Sequence, residues 1–196
     1  SRYINNEWQN IPYDTISAQV QEPYYLSHMS VDPFDTSVFY VGSYYSGLIK
    51  FSSEGIGPLF NSTNSTLGQF VNTYNLILTN TFDDSGNLWV LNGRVEKPLN
   101  KYSNGQWNSY DFTSLIPDPI DNLGFSDIIV NQGKIFIGSY FFGLIGYDIN
   151  QGTSSLRALS GEDTANLPSD YIKALAFDKN NVLWIGTYKG LRVLYN

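Results

Sequence analysis

The sequence predicts an all-β chain assembled from a repeated unit of strands, and three observations carry that prediction. A short apolar run with an aromatic at one fixed phase occurs four times, at Tyr40, Trp89, Phe136 and Trp184, spaced 49, 47 and 48 residues apart. Each run is preceded by another apolar run across a joint rich in Asp, Asn and Gly, and is followed by a third. No long stretch places apolar residues at i, i+3, i+4 and i+7, whereas 15 Tyr and 12 Phe suit pleated, half-buried strands. Hairpin-linked strands recurring at this period are the signature of a β-propeller, with about four blades of four antiparallel strands. A single sandwich would show alternating strands without a fixed period.

The elements follow in order. Inner strands are expected at 25–31, 74–82, 126–130 and 172–177, where apolar residues are nearly continuous. The joints after them, such as Asp83-Asp84-Ser85-Gly86-Asn87, supply residues that tolerate tight hairpin geometry. Second strands carry the aromatic marker at 38–43, 88–91, 134–139 and 183–187. Third strands follow at 47–51, 99–102, 143–147 and 190–194. A more polar fourth strand is clearest at 106–110. The blades then run over 14–61, 62–112, 113–158 and 159–196, with 1–13 as an additional strand. Residues 2–9 align without gaps on 101–108, so both ends of the sequence fall at the end of a third strand. Either the N-terminal strand closes a four-bladed ring or the chain is a piece of a larger propeller. The piece is the expectation, because four blades is the low end for closure.

Composition narrows the function. Hydrophobic residues make up 42% of a chain long enough to bury roughly 70% of its unfolded surface. The net charge is −7 and Lys and Arg form no cluster, so a nucleic-acid backbone has no docking site. With no cysteine there is neither a disulfide nor a thiolate metal site. No run approaches ~18 apolar residues, as a membrane span requires, and no signal peptide is visible from Ser1. The triplets Asn61-Ser62-Thr63 and Asn64-Ser65-Thr66 match a glycosylation pattern that is common by chance.

The stretch from Asn166-Leu167-Pro168 through Asp178, into Leu183-Trp184-Ile185-Gly186-Thr187 and Gly190-Leu191, resembles the two-component-regulator propeller repeat. The third copy resembles it less and the first two weakly; the second departs most, with Asn92-Gly93-Arg94 in place of the Gly-Ser/Thr turn. The resemblance implies a sensory module from the periplasmic region of a hybrid histidine kinase, or a PorZ-like surface protein of type IX secretion. The closing Gly190-Leu191-Arg192-Val193-Leu194-Tyr195-Asn196 is slightly more similar to the PorZ-like group. Either origin implies the periplasm or cell surface of a Gram-negative bacterium. Such repeats specify an architecture better than an activity.

Candidate chemistry is sparse. His28 has no second His or any Cys as a metal partner, and no Gly-x-Ser-x-Gly elbow occurs. Asp32, Asp35, Asp83, Asp84 and Asp178 sit in expected turns, where Asp caps its own backbone. The 83–87 joint lacks the Glu ligand of a calcium loop, and the Asp-box of sialidase propellers is missing. No catalytic residue, metal or cofactor is therefore expected. The remaining constellation is aromatic. Turns between second and third strands carry Tyr44, Tyr45, Tyr140, Phe141, Phe142, Tyr188 and Lys189. Because strands alternate in direction, these turns share a face with the long links at 61–72, 112–122 and 160–170. Rings there either stack on a glycan or anchor a protein partner, or they pack between blades. The alternatives are a PorZ-like scaffold and a propeller glycoside hydrolase or lyase, the last needing two or three carboxylates at the channel mouth.

Overall fold

The computed structural model describes residues 1–4, 6–71, 74–122, 124–161 and 166–195. A hairpin of β1 (Arg2–Ile4) and β2 (Glu7–Gln9) leads into a short helix, α1 (Tyr13–Ser17). The first sheet holds β3 (Leu26–Val31), β4 (Phe39–Ser43), β5 (Gly47–Ser52) and β6 (Gly55–Phe60). The second holds β7 (Ile77–Phe82), β8 (Leu88–Asn92), β9 (Leu99–Ser103) and β10 (Gln106–Tyr110). After α2 (Pro119–Asn122), the third holds β11 (Phe125–Asn131), β12 (Lys134–Ser139), β13 (Leu144–Asp148) and β14 (Arg157–Leu159). The fourth holds β15 (Ile172–Phe177), β16 (Leu183–Thr187) and β17 (Gly190–Leu194). Each sheet is antiparallel with its strands in chain order, as in the blades of a propeller.

The fourth strands β6 and β14 go beyond the sequence reading, which saw this strand clearly only at β10. β6 reads Gly-Ile-Gly-Pro-Leu-Phe, and Gly and Pro are depleted from strand interiors. Pro58 is accommodated because β6 is an edge strand, where the missing N–H faces no partner.

Apolar clusters lie between sheets, and the marker aromatic of each of the first three sheets faces the next one. Tyr40 meets Phe82 at 5.9 Å, Trp89 meets Tyr147 at 6.2 Å, and Phe136 meets Phe177 at 5.6 Å between ring centroids. The same junctions explain the glycine after the marker. A Cβ on Gly42 would lie 2.3 Å from Ser27 Oγ and 2.8 Å from Ile77 Cγ2. On Gly138 it would lie 2.6 Å from Ser126 Oγ and 2.7 Å from Ile172 Cγ2. In both cases the obstructing isoleucine comes from the inner strand of the following sheet. Inner strands are also tied to one another: Ser27 Oγ donates to Ile77 O at 2.8 Å, and Ser30 Oγ to Asn80 O at 2.7 Å. The Leu175 N–H donates to Asp127 Oδ2 at 2.8 Å. All four inner strands carry a one-residue bulge at the same level, next to the marker strand's final residues.

The two ends depart from this pattern. In place of one strand over 1–13 the structure has the β1–β2 hairpin, which pairs Tyr3 with Trp8, the register of Tyr102 with Trp107 in β9–β10. Closure of the ring through this hairpin is not what the structure shows. Among the described residues β2 pairs with β1 alone and β17 with β16 alone. The link after the hairpin instead covers the first sheet, packing Ile16 and Val20 against Ile49 and Phe51. On the fourth sheet Trp184 remains 39% exposed, and the nearest atom to a Cβ on Gly186 is Ala174 O, in its own sheet, at 3.5 Å.

Candidate functional site on the loop face

The turns that carry the predicted rim residues are built by a hydroxyl at the end of the second strand. Ser43 Oγ accepts the N–H groups of Tyr45 and Ser46, each at 3.2 Å, and donates to Tyr24 O. Ser139 Oγ accepts the Phe142 N–H at 2.8 Å and donates to Gly143 O. Thr187 Oγ1 accepts the Lys189 N–H at 3.3 Å and donates to Gly190 O. A Ser or Thr after the glycine thus satisfies a turn whose following residues project outward. In the second sheet Asn92 replaces it and binds the neighbouring link, accepting from the Gly68 N–H and donating to Leu76 O.

The structure sorts the seven rim residues into two settings. Tyr45, Tyr140 and Phe142 are half-buried, and Phe142 packs against the cluster between the second and third sheets. Tyr44, Phe141, Tyr188 and Lys189 are exposed, with Phe141 at 65% and Tyr188 at 70%. Rings that sequence reasoning missed complete the arrangement. Tyr24, Tyr25, Tyr74 and Tyr171 lead into inner strands. Tyr45 stacks on Tyr25 at 5.6 Å and meets Tyr24 and Tyr74 edge-on at 5.8 and 4.5 Å. Tyr140 stacks on Tyr171 at 4.7 Å, and Tyr171 is 6.0 Å from Tyr188. A tyrosine just ahead of the inner strand in three of four copies was the available signal. Burial pushes the Tyr140 phenol above its ordinary value, and the Tyr171 and Tyr44 phenols add to the shift.

Cavities open along this face. Between the first two sheets a cavity of about 270 Å³ is lined by Tyr45, Tyr74, Gln21, Glu22 and Gln69, among others. Over the turn of the second sheet, about 480 Å³ is lined by Phe70, Arg94, Lys97 and Ile120 among others, with the Arg94 guanidinium 4.2 Å from the Phe70 ring centre. Between the third and fourth, about 450 Å³ is lined by Tyr140, Phe141, Pro168, Asp170, Tyr171 and Lys189 among others. Lys173 Nζ lies 4.5 Å from the Tyr171 ring centre. Among the described residues each of these cavities has one carboxylate in its lining: Glu22, Glu96 and Asp170 respectively.

The turn aspartates are occupied by their own hairpins. Asp32 accepts from the Phe34 and Asp35 N–H groups, and Asp35 from the Ser37 N–H and hydroxyl. Asp83 accepts from the Ser85 and Asn87 N–H groups, the Asn87 amide and the Trp89 indole at 2.9 Å. Asp178 repeats this with Asn180, Val182 and the Trp184 indole at 3.2 Å. His28 is exposed on β3.

For Asp83, burial raises the carboxyl, and the donors Trp89, Asn87 and Ser85 outweigh it, so the group sits below its ordinary value. A carboxyl lowered in the folded state contributes stability above its unfolded value near 3.9, and that contribution is lost as pH falls through the lower folded value. Asp83→Asn is therefore expected to flatten the fall in stability below pH ~4. Urea midpoints measured across pH 2–6 check this; parallel wild-type and variant curves would refute it.

No curated protein sequence matches the chain, but one of its repeats and its fold have recognisable counterparts. Residues 166–189 match the family model described as "Two component regulator propeller". PorZ, a bacterial surface component of the type-IX secretion system of Porphyromonas gingivalis, superposes with a TM-score of 0.70 at 22% identity over 85% of this chain. The extracellular domain of a hybrid two-component system from B. thetaiotaomicron superposes with a TM-score of 0.63 at 18% identity over 86%. A streptogramin B lyase superposes at 0.60 and 14% identity over 86%. The chain spans only 24% of the PorZ structure, 20% of the extracellular domain and 53% of the lyase. At these identities the likeness is one of fold. The chain therefore carries a two-component-regulator propeller repeat on a β-propeller fold.

Proposed function

We propose that the chain is a non-catalytic recognition module of a bacterial cell-envelope protein, binding a glycan through the loop face of its third and fourth sheets. The observation that carries this reading is the pair of exposed rings Phe141 and Tyr188, beside the stacked Tyr140–Tyr171 platform and the 450 Å³ cavity. Exposed rings clustered on one face mark a surface that a partner covers, and ring faces suit the apolar faces of sugars. Lys173 and Lys189 add cationic donors without making the surface strongly charged. The likenesses to a bacterial surface component and to an extracellular domain support a location at the cell surface or in the periplasm.

Isothermal titration with a panel of bacterial and host oligosaccharides tests the reading. Phe141→Ala combined with Tyr188→Ala is expected to weaken binding about tenfold, the equivalent of ~1.4 kcal/mol. A panel without a binder, together with a protein partner captured through the same two rings, would replace the glycan by the scaffold reading.

A further inference from the structure

We infer that the cavity between the first and second sheets is a subsite for one uncharged pyranose ring, distinct from the exposed rings of the third and fourth sheets. The inference rests on the reading of the loop face as glycan-binding, and assigns to a second place on it a defined class of sugar.

Size sets the first limit. A volume of about 270 Å³ falls just under the usual range for small-molecule pockets, roughly 300–1,000 Å³, which suits one ring and not an oligosaccharide. The aromatic wall is held in place before any ligand arrives. Tyr45 and Tyr74 meet edge-on at 4.5 Å, and Tyr45 is braced from behind by Tyr24 and Tyr25. A wall fixed in this way loses little side-chain freedom on binding.

The backbone of the cavity is fixed as well. Ser46 Oγ donates to Gln21 O at 2.8 Å and to Glu22 O at 2.6 Å, and Asn75 Oδ1 accepts the Ser62 N–H at 2.8 Å. Glu22 is held in the left-handed region, at φ 51°. Such geometry persists where the surroundings over-determine it, and it clusters at ligand clamps.

The polar groups then select the ligand. Gln21 and Gln69 are exposed and line the cavity, and each side-chain amide offers both donors and an acceptor. Adjacent sugar hydroxyls, which donate and accept, are complemented by such amides. Among the described residues no Lys or Arg lines this cavity, and its one carboxylate is Glu22. A uronate or sialate would place its carboxylate beside Glu22 with no cation to offset the repulsion. Hence the ring is uncharged, whereas the cavity bearing Lys189 has no such bar.

Heteronuclear NMR of the full chain with cellotriose, mannotriose and trigalacturonate separates the possibilities. A neutral trisaccharide is expected to move the Gln21 and Gln69 side-chain amide signals, and Gln21→Ala with Gln69→Ala to weaken that binding about tenfold. Trigalacturonate is expected to bind this cavity about tenfold more weakly than the neutral sugars, with Glu22→Gln narrowing the gap. Unchanged thermal transitions of these surface variants establish that the fold is intact. Shifts confined to the region of Phe141 and Tyr188 would overturn the subsite and leave the loop-face reading standing. Equal binding of neutral and acidic sugars at Gln21 and Gln69 would overturn its selectivity for an uncharged ring. No shift with any of the three sugars, and no binder in the wider panel, would overturn both readings.

Discussion

Replacing Trp89 with alanine is expected to cost about 3–5 kcal/mol of stability, while the same change at Trp184 costs about 1 kcal/mol or less. The two tryptophans occupy the same phase of the repeat and donate their indole N–H groups to the turn aspartates Asp83 and Asp178. Their surroundings differ. Trp89 is fully buried, with Tyr110 and Tyr147 at 5.6 and 6.2 Å and the Lys101 ammonium 5.4 Å from its ring centre. Its removal leaves a cavity that two sheets cannot close, because both are fixed by their own ladders. Trp184 has solvent where Trp89 has a neighbouring sheet, and less apolar surface returns to water on truncation. Urea denaturation followed by near-ultraviolet circular dichroism measures both. Comparable losses would show that the tryptophan's value lies in its own hairpin and not in the junction between sheets.

Glycine at the end of the second strand is expected to show a reversal of sign. Gly138→Ala should destabilise by roughly 1–3 kcal/mol, since the new methyl meets Ser126 Oγ and Ile172 Cγ2 well inside contact distance. Ile172 cannot swing away cheaply, because a β-branched side chain has little freedom at χ1 and sits at the fully buried start of β15. Gly42→Ala, opposed by Ser27 and Ile77, should behave alike. At Gly186 the nearest atom stands at 3.5 Å, so alanine should be neutral or stabilising by up to ~1 kcal/mol through a less flexible unfolded chain. Thermal unfolding of the three variants decides the matter, and a loss at Gly186 equal to that at Gly138 would remove the next sheet's isoleucine as the cause.

The repeat was legible because junction chemistry recurs in every copy. Tyr40, Trp89 and Phe136 face the next sheet, so their spacing is the spacing of sheets, and the period appears directly in the letters. The turn aspartates were legible for a local reason, since Asp83 and Asp178 bond within their own hairpins. The outer strands were less so. β6 and β14 are recruited by backbone pairing to β5 and β13, and edge strands impose little demand on side chains. The rim was read in part. Adjacent rings at Phe141 and Phe142 look alike in sequence, yet one turns to solvent and the other into the core between sheets. The Tyr45–Tyr74 and Tyr140–Tyr171 pairs join residues about thirty apart, across a link whose path the letters do not specify.

Among the described residues the apolar clusters lie between adjoining sheets and under α1 and its link, which gives the molecule a direction. Each sheet leans on its neighbours in the manner of a row of books, and the strength of the row is close to a sum over adjoining pairs. The first sheet has α1 and its link on one side and the second sheet on the other. Among the described residues the fourth packs against the third. The turn of Tyr45 thus stands on a sheet braced from both sides.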